Sequence, residues 1–136
     1  MKTLSLDVGD KWTGIALSDP LGILAKPYDT IKSCDIISFL ENILGDGSIS
    51  TVVVGLPTTL RGTESEQTKK IIALTKELEK QFTSVEWKLW DERLTSRQAA
   101  SMKRIKTKND KLHSHAIAAA LILSGYLEYK RFQSNE

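Results

Sequence analysis

The segment Leu4-Ser5-Leu6-Asp7-Val8-Gly9-Asp10-Lys11-Trp12-Thr13-Gly14-Ile15-Ala16-Leu17-Ser18-Asp19 reads as a β-hairpin with a carboxylate in its first strand. Leu4, Leu6 and Val8 alternate with Ser5 and Asp7, the period-two signature of a strand, and Ile15 and Leu17 repeat it after a turn bracketed by Gly9 and Gly14. Asp is depleted in strands and costly to bury alone, so Asp7 needs a donor, a basic side chain or a cation beside it. That makes Asp7 a functional candidate. The alternative is an Asp at a frayed strand end, bonded to neighbouring amides.

Downstream, Ala25–Ile31 can form a third strand, with Pro27 favouring an edge. Ile36, Ile37, Leu40, Ile43 and Leu44 repeat at helical spacing and predict a helix over Asp35–Leu44, ended by Gly45-Asp46-Gly47. Thr51–Val54 is a short, continuously apolar strand of the kind covered on both faces. Thr63–Glu66 is a capping box before an amphipathic helix with Ile71, Leu74, Thr75, Leu78 and Phe82 inward. Val85–Trp90 is a fifth strand, ending at Asp91-Glu92-Arg93, and Thr95–Gln98 is a second capping box. A final helix spans about 111–129, with Asn109 or Asp110 as its cap and a loose tail from about Arg131. The order strand, strand, strand, helix, strand, helix, strand, helix, helix predicts an α/β fold: a five-stranded mixed sheet with helices on both faces. The first and fourth strands are expected to be neighbours, with the fifth outside.

The length of 136 residues suits one domain, residues 1–136, large enough to bury roughly 70% of its extended-chain surface. Cys34 is the single cysteine, so no internal disulfide can form. The amino terminus lacks a secretion-signal pattern, and the longest apolar run, Ala116 to Leu123, falls well short of the ~20 residues needed to span a bilayer. A cytoplasmic protein without membrane contact is expected. The net charge of +2 is mild, but Arg93, Arg97, Lys103, Arg104, Lys106, Lys108 and Lys111 are opposed only by Asp110 in their segment. Such a run is either a solvated face or a phosphate-attracting surface.

Ligands of open α/β sheets bind beyond the carboxyl ends of the strands, where Gly55 and Glu92 are expected. Metal-dependent phosphoryl chemistry needs hard anionic oxygens from separate elements, and Asp7 and Glu92 supply two. Gly9 and Gly55 read as permitting tight turns near them.

Four stretches, LSLDVGDKWTGIALSD (4–19), VVVGLPTTLRGTESEQT (52–68), DERLTSRQAA (91–100) and AIAAALILSGYL (116–127), together resemble the YqgF/RuvX family. Its members have an RNase H-like fold and are related to the RuvC Holliday-junction resolvases. The resemblance spans nearly the whole chain. It implies a metal-dependent endonuclease maturing the 5′ end of precursor 16S rRNA, with Asp7 and Glu92 as catalytic, metal-holding acids. The partners it implies are precursor rRNA or branched DNA, and the ribosome.

The family pattern places an Asp on the last helix, three residues before an Ala-Ala pair; aligned on Ala118-Ala119, that position holds His115. A neutral imidazole can ligate a metal but suits Mn²⁺ better than Mg²⁺. His115 is thus either the third catalytic and metal-binding residue or a packed side chain. His113 stands about 200° away around a helix and cannot easily serve the same ion. Arg61, Arg93, Arg97, Lys103, Arg104 and Lys106 are the candidate nucleic-acid contacts, the arginines because a guanidinium pairs two phosphate oxygens. Asp19 and Asp91 read as structural. Two further readings compete: a catalytically impaired binding module of the same fold, and a Holliday-junction resolvase-like DNA nuclease. Asp7-Val8-Gly9 with Gly14 also resembles the first phosphate motif of actin-like ATPases, but those enzymes clasp nucleotide between two lobes.

Overall fold

The structure is a computed structural model and describes residues 1–57, 66–92 and 113–134. Strand β1 (Lys2–Val8) pairs antiparallel with β2 (Trp12–Ser18), setting Leu6 opposite Ile15 and Asp7 opposite Gly14. The hairpin turn is closed by Gly9 N–H donating to the Trp12 carbonyl at 3.0 Å. A Cβ on Gly9 would lie 2.7 Å from that oxygen, so a side chain would force the turn open. The Ser33 hydroxyl donates to the Gly9 carbonyl at 2.6 Å, tying the turn to the end of β3 (Ala25–Lys32).

Between β2 and β3, Asp19 organises the loop. Its Oδ1 accepts from Ile23 N–H at 2.7 Å and Leu24 N–H at 2.9 Å, and its carbonyl accepts from Gly22, which sits at φ 71°. These amides hold the Asp19 carboxyl below its ordinary value. The structural role expected of Asp19 is borne out.

After a short 3₁₀ turn over Ser33–Asp35 come α1 (Ile36–Ile43), β4 (Ile49–Leu56), α2 (Glu66–Gln81), β5 (Glu86–Asp91) and α3 (His113–Ser134). The first helix therefore begins one residue later than its periodicity predicts. The sheet order is β3-β2-β1-β4-β5, with β4 parallel to both β1 and β5. This is the mixed five-stranded sheet expected from the element order.

Alternation along the strands builds two cores. Leu4, Leu6, Ile15, Val52 and Val54 point to one face, where α1 and α2 cover them with Ile36, Leu40, Ile71 and Leu78. Ala16, Ala25 and Val53 point to the other, against Ala119, Ala120, Leu123 and Leu127 of α3. The alanines let α3 lie close to the sheet. Helices cover both faces, as expected.

The carboxyl-terminal tail differs from expectation: α3 continues to Ser134 instead of loosening near Arg131. Buried Tyr126 and Leu127 anchor its last third, and Gln133 Nε2 donates to Tyr129 Oη one turn back at 2.6 Å. No Pro or Gly follows Gly125 to stop it. Residues 63–65 of the first capping box, the second capping box, Thr95–Gln98, and the predicted helix caps at Asn109 and Asp110 lie outside the described residues. Among the described residues, no helix is long and apolar enough to cross a membrane.

Candidate active site

The same alternation fixes where Asp7 points. Leu4, Leu6 and Val8 face α1 and α2, so Ser5 and Asp7 face α3. Ser5, fully buried, donates its hydroxyl to the Ala119 carbonyl at 2.7 Å and sets the helix register against β1. Moving from Ser5 to Asp7 advances about 7 Å along the strand, and moving from Ala119 back to His115 retreats about 6 Å along the helix. His115 is thereby carried over Asp7. Gly14 makes this possible: a Cβ there would overlap the His115 backbone carbonyl, so only glycine lets α3 start so close to the hairpin.

Glu92 arrives from the far side. It directly follows β5, and its N–H donates to the Leu56 carbonyl at the end of β4 at 3.2 Å. Its side chain folds back over Gly55, where Oε1 lies 2.8 Å from the place a Cβ would occupy. Ile122 of α3 fills the rest of that space. Gly55 is therefore not a turn residue, as its sequence context suggested. It sits inside β4 and clears room for a carboxylate.

Across this gap the Asp7 and Glu92 carboxyl groups are close enough to act on each other by charge and hydrogen bonding. Two carboxylates can bond only if one carries a proton. Burial raises Asp7 above its ordinary value, while the bond to Glu92 and the proximity of His115 work in the opposite direction. Burial, followed by the Asp7 charge, the bond to Asp7 and the Asp91 charge, pushes Glu92 up to about 8. The pair therefore holds one proton at neutral pH, with Glu92 as the main carrier.

Of the expected catalytic residues, the structure brings Asp7 and Glu92 into contact and sets His115 close enough to act electrostatically on Asp7. Among the described residues there is no cluster of three or more His, Cys, Asp and Glu side chains able to hold a metal ion. The arrangement is a carboxylate pair with a neighbouring imidazole. Asp91 adds negative charge beside Glu92. The side chain of His113, and Arg61, Arg93, Arg97, Lys103, Arg104 and Lys106, lie outside the described residues.

The donor set suits a hard divalent cation: two oxygen ligands, one from β1 and one from just past β5, desolvated and already forced to share a positive charge. A cation replacing the shared proton would offset the burial that raises both groups and the Asp7 charge that raises Glu92 further. Three residues that build this site were not singled out for their structural roles from sequence. Ser5 registers the helix, Gly14 admits it, and Gly55 makes space for Glu92. The available signal was a polar or glycine residue inside each otherwise apolar strand, on the face that Asp7 shares.

Comparison with known proteins agrees with this geometry. The sequence profile of the RuvX family, described as Holliday junction resolvase, matches residues 1–129. A protein of Clostridium botulinum (strain Hall) is 38% identical over 94% of this chain and 97% of its own length. One of Rubrobacter xylanophilus is 31% identical over 93% and 92%. Both carry the name "Putative pre-16S rRNA nuclease". Among solved structures, Thermus thermophilus RuvC in complex with a Holliday junction substrate matches with a TM-score of 0.67 at 15% identity, covering 97% of this chain and 96% of RuvC. That likeness shows the RNase H-like fold.

Proposed function

The chain belongs to the RuvX family, and from that membership and its carboxylate pair we propose that it is a divalent-metal-dependent endonuclease acting on the 5′ extension of precursor 16S rRNA. The observation that carries the metal-dependent reading is the contact between Asp7 and Glu92 at the sheet edge. Such a pair has no structural benefit to offset its burial and like-charge repulsion, and perturbed carboxylates of this kind cluster at functional sites.

Asp7 and Glu92 would hold the cation, and His115 would contribute a nitrogen ligand that favours Mn²⁺ over Mg²⁺. When bound, a divalent ion supplies charge neutralisation at the scissile phosphate and acidifies an attacking water. The chain's own part is to deliver two deprotonated carboxylates in fixed positions. Ser5 and Gly14 hold α3 in place and Gly55 lets Glu92 reach across. Arg61, Arg93, Arg97, Lys103, Arg104 and Lys106 are proposed to bind the nucleic-acid backbone, the arginines through paired donors. Divalent-dependent cleavage of a 5′-extended 16S fragment, abolished by Asp7→Asn, tests the proposal. Cleavage that persists in that variant contradicts it.

A second reading, a binding module with impaired catalysis, is favoured by one observation: His115 stands where the family resemblance places a third acid. It predicts RNA binding whose affinity falls with salt, and no turnover in Mg²⁺ or Mn²⁺.

A further inference from the structure

The face of the sheet that carries the carboxylate pair does not end there. Trp90, near the end of β5, packs on the α3 side of the sheet, and Glu92, just past the strand, folds over Gly55 beside Ile122 of α3. Trp90 meets Tyr126 edge-on at a centroid distance of 5.8 Å and Tyr129 at a tilt of 52° and 5.3 Å. These rings, with Lys88 of β5 and Lys130 of α3, line an open groove of about 420 Å³ along the free edge of the sheet.

Core packing explains part of this cluster. Tyr126 is buried and closes the α3 side of the sheet. It does not explain Tyr129, which is 48% exposed, nor a groove left open beside it. Nor does it explain the Trp90 indole N–H, which is buried with no hydrogen-bond partner among the described residues. The groove is also charged. Glu86 is 3.7 Å from Lys88, and Lys130 leaves the groove with a net positive charge.

We propose that the Trp90–Tyr126–Tyr129 groove binds the bases of single-stranded RNA leading away from Asp7 and Glu92. This rests on the nuclease reading and deepens it by naming the substrate as a single strand rather than a paired or branched duplex. An exposed aromatic ring beside cations binds unpaired strands by stacking on base faces, which a duplex keeps covered, and Tyr129 is the ring this groove exposes. The groove begins at Trp90, at the end of β5 that Glu92 follows, so one chain of nucleotides can occupy both. Lys88 and Lys130 sit where backbone phosphates would flank stacked bases.

The test is fluorescence anisotropy with a labelled single-stranded RNA dodecamer in EDTA, where divalent-dependent cleavage is silent, with the same sequence as duplex for competitor. The expected result is a loss of about ten-fold or more in affinity for Tyr129→Ala, the size of one lost base–aromatic stack. Tyr129→Phe should stay within about two-fold of wild type, and the duplex should compete weakly. Lys88→Ala and Lys130→Ala should each lower the slope of log affinity against log salt by about 0.7. Should Tyr129→Ala melt below the assay temperature, Lys130→Glu on the surface carries the same test. Unchanged affinity in a folded Tyr129→Ala, equal competition by duplex, or a change in oligomeric state in place of RNA affinity overturns the proposal. Tyr129-dependent binding by a protein that never cleaves would retain the groove and remove the nuclease reading. Asp7-dependent cleavage with Tyr129-independent binding would do the reverse.

Discussion

Asp7 lies in β1 and Glu92 directly follows β5, two strands that do not pair with each other, yet their carboxyl groups interact across Gly55 of the intervening strand β4. Contact at that range needs three things: a bend of the chain after Asp91, a missing side chain beneath, and a proton between. Each has a consequence that can be measured.

Removing one charge should stabilise the protein while abolishing activity. Asp7→Asn removes the nearer of the two like charges beside Glu92 and leaves only Asp91, so the variant should melt above wild type near pH 8 without divalent ions, and the gain should shrink in acid. Cleavage should fall by more than the roughly 10–100-fold that loss of a supporting partner costs a metal site. Paired melting curves and initial rates check both.

The pH dependence follows from the shared proton. Glu92 in the folded protein titrates near 8 against an ordinary 4.5, so its proton favours the folded state. That stability is fully present below about 4.5 and is lost as pH rises through about 8. A divalent cation must displace the proton, so Mg²⁺ or Mn²⁺ should raise the melting midpoint more at about pH 9 than at about pH 6. Thermal shift at both values decides; a larger shift in acid would contradict the assignment.

Gly14→Ala should be among the more damaging alanine substitutions in the chain. Its methyl would overlap the His115 carbonyl, a backbone atom that moves only if α3 moves. The expected cost is about 3 kcal/mol by chemical denaturation, the upper end for overpacking. Ser5→Ala, which removes the bond to the Ala119 carbonyl, should cost about 1 kcal/mol and loosen the same helix.

His115→Asp should change metal preference. A third carboxylate beside Asp7 increases repulsion in the metal-free protein, lowering its melting point near pH 8, and strengthens hard-ion binding. The ratio of Mg²⁺-supported to Mn²⁺-supported cleavage should rise relative to wild type. An unchanged ratio would show that His115 does not take part in holding the ion.

Much of this was legible before any coordinates. Alternation around Asp7 identified both the strand and its exceptional residue, because burying a carboxylate breaks the pattern that hydrophobic burial imposes. The order of elements gave the sheet, since parallel crossovers leave few arrangements. Gly55 was misread because a glycine before Pro57 looks like punctuation, and only a partner from a distant strand reveals that space was needed. The end of α3 was missed because exposed residues beyond Leu127 lack an apolar stripe, although helix propagation continues without one. The groove beside Trp90 was invisible because it joins β5 to residues some forty positions later.

The most direct measurement is cleavage of a 5′-extended 16S precursor fragment by the purified protein in Mg²⁺ and in Mn²⁺, with Asp7→Asn beside it. The account predicts cutting that requires a divalent ion, is stronger in Mn²⁺, and disappears in Asp7→Asn. Folded wild-type protein that binds the fragment but cuts it in neither metal, or equal cutting by Asp7→Asn, would contradict it.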